Sequence, residues 1–245
     1  MRRSCLRTLA VAAAFLAASP AAADVSRLLA AYPDHLSHLD GNMLVWRDGT
    51  RMPVSDGREG KSAEELLSNP DLDDMFAYPY PLGWPAARPA NDPGRIRYDP
   101  FFQRMYGDCR TGRMPNLRNV PWLPRHGGGT LRVTTVNGVD RRIEAISRDL
   151  EGLPRELLRY LVPNGGGFNC RVIAGTRRPS AHGYGIAVDI NPAYSDYWQW
   201  SRGGWRNRIP EPIVRIFERH GFIWGGQWHA FDTMHFEYRP ELLRR

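Results

Sequence analysis

Histidine and carboxylate side chains gather in two short stretches whose spacings suit a metal-assisted hydrolase. The first reads Ser180-Ala-His182-Gly-Tyr-Gly185-Ile-Ala-Val-Asp189-Ile-Asn. Ile186, Val188 and Ile190 alternate with Ala187 and Asp189, so a strand here sets Asp189 on the face opposite the large apolar residues. A carboxylate between Val188 and Ile190 is costly to bury unless it is paired or ligates a cation. The second stretch reads Trp224-Gly-Gly-Gln-Trp228-His229-Ala-Phe-Asp232-Thr-Met-His235-Phe-Glu237-Tyr238. The step from Asp232 to His235 lets one group ligate a metal while the other accepts a proton from an attacking water. Zinc held by three protein side chains, with one position open, is the cofactor such donors suit. Each spacing alone also occurs among hydrogen-bonded structural histidines, so the residues by themselves leave both readings open. A serine or thiol hydrolase lacks its motif: there is no Gly-x-Ser-x-Gly and no partnered nucleophilic cysteine.

Taken together, Ser-x-His-x-x-Gly-x-Ala-x-Asp and Trp-Gly-Gly-x-Trp…Asp-x-x-His-Phe resemble the zinc D-alanyl-D-alanine carboxypeptidase and L-alanyl-D-glutamate endopeptidase family, VanY-like. The Trp224-Gly-Gly-x-Trp228 run is most similar to the endopeptidase branch. The resemblance covers residues 130–245. It implies one zinc ion held by His182, Asp189 and His235, with Asp232 as general base and Ser180 and Trp228 touching substrate. It also implies the α+β fold shared with the Hedgehog signalling domain. In much of the family a strand ending in Gly-x-Arg is followed by a helix and loop before Ser-x-His. Here Ala174-Gly175-Thr176-Arg177-Arg178-Pro179 runs straight into Ser180. Arg177 matches, by motif position, the arginine that stabilises the developing oxyanion; its alternative is a surface or ion-pairing role. The implied activity is hydrolysis of peptide bonds in peptidoglycan stem peptides. A reading from another class is a zinc-containing wall-binding module that has lost catalysis, against which stands the retention of Asp232.

The rest of the chain must position these residues. With 42% hydrophobic and 24% charged residues, mean hydropathy −0.48 and no second long apolar run, the sequence is neither disordered nor polytopic. Arg2, Arg3 and Arg7, the apolar run from Leu9 to Ala18 and the small residues Ala21 to Ala23 read as a signal peptide over residues 1–23. Export to the periplasm or cell envelope follows, with Asp24 first in the mature chain and no membrane span left after cleavage. Removing the signal lowers the net charge from +7 to +4, suited to anionic surroundings. No arginine-rich helix or aromatic RNA-binding motif points to nucleic acid. A monomer is expected. Cys109 and Cys170 remain, and in an oxidising compartment they would form a disulfide closing a loop of about sixty residues; the alternative is two buried thiols.

Val25 to Tyr32 has helical spacing, Asp48-Gly49 marks a hairpin, and Ser62-Ala-Glu-Glu65 is a capping box. Six prolines between Tyr78 and Pro100 predict an extended, surface-wrapping connection, with a helix starting at Asp99-Pro100. Residues 24–125 form either a small lobe or a wrap around a catalytic domain at 126–245. Strands are expected at Leu131–Val136, Phe168–Ala174, Ile186–Ile190 and Met234–Tyr238. Helices are expected through Ile143 and Leu150, and from Pro212 to a cap at Gly221. Strands and helices without strict alternation give the α+β class. Gly127–Gly129 and Gly165–Gly167 lack phosphate-loop context and read as flexible turns. Trp198, Trp200 and Trp205 offer faces for sugars but are expected to pack beneath a loop. His35, His38, His126, His220 and His229 read as surface, rim or capping residues.

Overall fold

The computed structural model describes residues 20–201 and 204–243. Most of the expected signal peptide lies outside the described residues; its last four residues begin helix α1 (Pro20–Ala31), which buries Val25 and Leu28. Strands β1 (Leu36–Asp40), β2 (Met43–Trp46) and β3 (Arg51–Pro53) form an antiparallel meander. Gly49, at φ 83°, closes the expected hairpin, with Trp46 N–H donating to Thr50 O at 2.8 Å. Helix α2 (Ala63–Ser68) opens on the expected capping box: Ser62 Oγ accepts from Glu65 N–H, and Glu65 Oε2 accepts from Ser62 N–H.

The proline-rich segment between Tyr78 and Tyr98 holds no helix or strand and lies as a strap over the C-terminal half. An extended chain has no internal hydrogen bonds, so its carbonyls seek other donors. Gly83 O accepts from Gln227 Nε2 at 2.8 Å, and Pro93 O accepts from Trp228 Nε1 at 2.6 Å. In return, Trp84 Nε1 donates to Ile209 O at 2.7 Å. Helix α3 (Asp99–Tyr106) follows, with Asp99 inside its first turn rather than at the cap.

Strands β4 (Leu117–Pro121) and β5 (Thr130–Thr134) pair, and α4 (Val139–Glu151) buries Ile143, Ile146 and Leu150. The site-bearing sheet has the order β6 (Ala187–Asp189), β8 (His235–Tyr238), β7 (Phe222–Trp224), all antiparallel. Helix α5 (Glu211–Arg219) precedes β7, and α6 (Pro240–Leu243) closes the described chain. The class is α+β. One buried core joins Val25, Leu28 and Phe101 to Ile143, Phe217 and Phe236.

Phe168–Ala174 is not a strand, because its backbone has no single partner. Phe168 N–H donates to Arg132 O, Asn169 N–H to His182 O and Ile173 N–H to Arg178 O. Cys170 within it is bonded to Cys109.

Candidate metal centre and active site

In the register of β6 with β8, Asp189 stands opposite His235, Val188 opposite Phe236 and Ala187 opposite Glu237. Opposed residues share a face, so Asp189, His235 and Glu237 lie together. Phe236, on the other face, stacks on Phe217 of α5 with ring centroids 3.8 Å apart. Burial of that apolar face fixes the register and thereby the placement of the polar one. His182 arrives on a tight turn, Ala181–Tyr184, whose cap is Ser180. Gly185, at φ 71°, then swings the chain into β6.

His182 Nε2 lies 3.1 Å from His235 Nδ1 and 3.3 Å from Asp189 Oδ1; His235 Nδ1 lies 3.2 Å from the same carboxylate oxygen. A tetrahedral ion with bonds of about 2.0–2.1 Å holds its ligands about 3.3 Å apart. The triangle fits such an ion. Outer partners aim the rings. His182 Nδ1 is 2.7 Å from Gly167 O, and a carbonyl can only accept, so Nδ1 carries hydrogen and the Nε2 lone pair faces inward. His235 Nε2 is 3.4 Å from Glu237 Oε2.

The charges agree with this donor set. Burial works against ionising Asp189, yet His182 and His235 hold its carboxyl below the usual carboxylate range. Burial pushes His235 down, but Asp189 and Glu237 outweigh it and lift its midpoint to about 10. Glu237 is fully buried, and Arg97, His235 and Arg239 keep it ionised against that burial. Asp232 Oδ1 is buried with no hydrogen-bond partner among the described residues. Burial first, and the charge of Asp189 second, push Asp232 up to about 6.

A cavity of about 550 Å³ opens over Asp189, Asp232 and His235. Residues 174–238 match the family model described as D-alanyl-D-alanine carboxypeptidase. That stretch holds all three donors and Asp232, and the match supports a peptidase of the VanY-like family. No curated protein and no solved structure matches the chain.

The remaining expected site residues fall in different places. Ser180 is buried in the cavity wall, its hydroxyl accepting from His182 N–H at 3.4 Å. Trp228 lines the cavity with its ring centroid 5.4 Å from that of His235, whereas Trp224 is buried behind the sheet, donating to Thr233 O. Arg177 is exposed and does not line the cavity. Arg171 does, and it also borders a second cavity of about 190 Å³ that touches His182 and Asp189. Trp198 and Trp200 do not pack beneath a loop: they are 40% and 72% exposed and stand in the cavity wall. His229 is exposed and its ring meets Pro89 O, outside the cavity.

Sequence reasoning passed over Glu237, Arg97, Arg171 and Gly167. Glu237 had a signal, since residues two apart on a strand share a face. Gly167 is no idle turn: a Cβ there would come within 2.4 Å of Arg132 O, so glycine lets its carbonyl approach His182.

Proposed function

We propose that the chain is an exported zinc peptidase that hydrolyses peptide bonds of peptidoglycan stem peptides, by L-alanyl-D-glutamate endopeptidase action in preference to D-alanyl-D-alanine carboxypeptidase action. The observation that carries this reading is a buried Asp232 oxygen, unpartnered among the described residues, in the cavity that also exposes Asp189 and His235, the two donors that converge with His182. A purely structural site has no use for such a carboxylate, and burying one of its oxygens without a partner is unfavourable. Export rests on the basic, apolar and small-residue pattern of residues 1–23. No helix among the described residues is long and apolar enough to cross a membrane.

His182, Asp189 and His235 would hold the zinc ion, which when bound supplies a Lewis acid that polarises the scissile carbonyl. Asp232 accepts the proton of the attacking water and returns it to the leaving amine. Burial and Asp189 raise its midpoint to about 6 in the metal-free chain, and the charge of a bound zinc ion would favour the ionised form that a base requires. Arg171 pairs with no carboxylate among the described residues and reaches the cavity, so the cation facing the developing oxyanion in this reading is Arg171 rather than Arg177. Trp228 and the exposed Trp198 and Trp200 wall the groove. The volume lies within the range of small-molecule sites. Digestion of purified peptidoglycan, with the new termini identified by mass spectrometry, tests the assignment. New N-terminal D-glutamyl peptides are expected. Release of D-alanine alone would transfer it to the carboxypeptidase branch, and an inert zinc-loaded protein would overturn it.

A further inference from the structure

The outer partner of His235 is held in place from the opposite end of the sequence. Glu237 Oε2, 3.4 Å from His235 Nε2, accepts from Arg97 Nη1 at 3.1 Å. The other arm of the same guanidinium, Nη2, donates to Pro179 O at 3.2 Å. Pro179 directly precedes Ser180, the cap of the turn that carries His182. One planar fork therefore ties together the two segments that bring both histidines. Arg97 is 4% exposed and Glu237 is fully buried, so water does not stand in for either partner. The fork is itself anchored: Arg97 O accepts from Arg178, whose guanidinium also pairs with Asp99 at 2.9 Å. Glu237 Oε1 accepts from Arg239 Nη1 at 3.2 Å, and the same Nη1 donates to Gly94 O at 2.7 Å.

We propose that Arg97, in the proline-rich strap, is a positioning residue for the metal centre, setting the orientation of His235 through Glu237 and of the His182 turn through Pro179. The proposal rests on the zinc reading above. Without the fork, Glu237 keeps its bond to Arg239 and is free to turn toward it, and the His235 ring loses its fixed partner. Outer hydrogen-bond partners of metal-bound histidines typically control about 10–100-fold in metal affinity.

The test is zinc affinity of the mature chain, measured by chelator competition. Arg97→Gln should weaken zinc binding by about 10–100-fold, and Arg97→Lys, which keeps the charge but loses the two-armed geometry, by a smaller factor. Most of the Arg97→Gln loss should vanish in a Glu237→Gln background, because one residue acts through the other. A packing role alone would lower the melting temperature of the zinc-free chain and leave affinity unchanged. Should Arg97→Gln fail to fold, Arg97→Lys carries the measurement. Parental affinity in the folded variants, or an undiminished loss in the Glu237→Gln background, overturns the proposal. A parental chain that binds no zinc overturns the zinc reading itself.

Discussion

Replacing Asp232 with asparagine keeps the shape of the side chain, removes its charge and leaves the three donors in place. In the metal-free chain the Asp232 carboxyl titrates at about 6 against an ordinary 3.8, because burial and the nearby Asp189 disfavour its charge. A folded-state midpoint above the unfolded one means that the fold binds this proton more tightly. Stability is therefore lost as pH rises from the unfolded midpoint through about 6, and above that a penalty of ~3 kcal/mol is fully present. Asparagine has no charge to desolvate. The metal-free Asp232→Asn protein should accordingly be more stable than its metal-free parent by about 2–3 kcal/mol near pH ~8, shrinking to about 1 kcal/mol near pH ~4.5. Denaturant unfolding of the chelator-treated pair at both pH values reads this difference, since the other titrating groups are common to both proteins. The same substitution should retain zinc and cut turnover by about 100-fold or more. Equal stability of the two proteins near neutral pH would refute the electrostatic argument. Turnover that survives with zinc bound would refute the base assignment.

Three further outcomes are expected. The parental chain should carry about one zinc ion, and His182→Ala or His235→Ala should empty the site by elemental analysis; full occupancy in either variant would remove that residue from the ligand set. Arg171→Ala should reduce kcat/KM on a muropeptide by about 100-fold while Arg177→Ala stays within about threefold, and the reverse order would restore Arg177 to the oxyanion role. Reducing the Cys109–Cys170 bridge, which spans 61 residues of sequence, should lower stability by about 4 kcal/mol in thermal unfolding, with zinc still bound. An unchanged melting temperature would show that the bridge contributes nothing.

Asp189 was legible because a lone carboxylate interrupts an alternating apolar strand, and that anomaly is local. His235 and Asp232 were legible through motif spacing, and the hairpin and capping box through turn chemistry. Arg97 left no such trace: it meets Glu237 across 140 positions, a contact that packing alone creates. Gly167 was passed over for a similar reason, since a carbonyl that serves a histidine is invisible in residue type. Arg171, which lines the cavity where Arg177 does not, was not legible, because motif position follows the chain whereas access to the cavity follows the disulfide-tied, irregular path of residues 168–174. The expected strand there failed for the same cause. Its apolar and β-branched residues satisfy propensity, but its amides face three different neighbours.

The pairing of β6 with β8 is only three residues long, and its opposed members include Asp189 and His235. So short a ladder resists sliding weakly through its backbone alone. An ion shared by that pair would act as a pin, because a slip of one position turns the carboxylate toward the apolar side and breaks the coordination. Zinc at this point would reward a single alignment and leave misaligned chains unloaded, so metal content would double as a readout of correct folding. Between the pinned ends lies the long excursion that carries α5 and the exposed Trp198 and Trp200. Trp198 and Trp200 lie outside the ladder, so substitutions of these exposed side chains leave the alignment of Asp189 with His235 untouched.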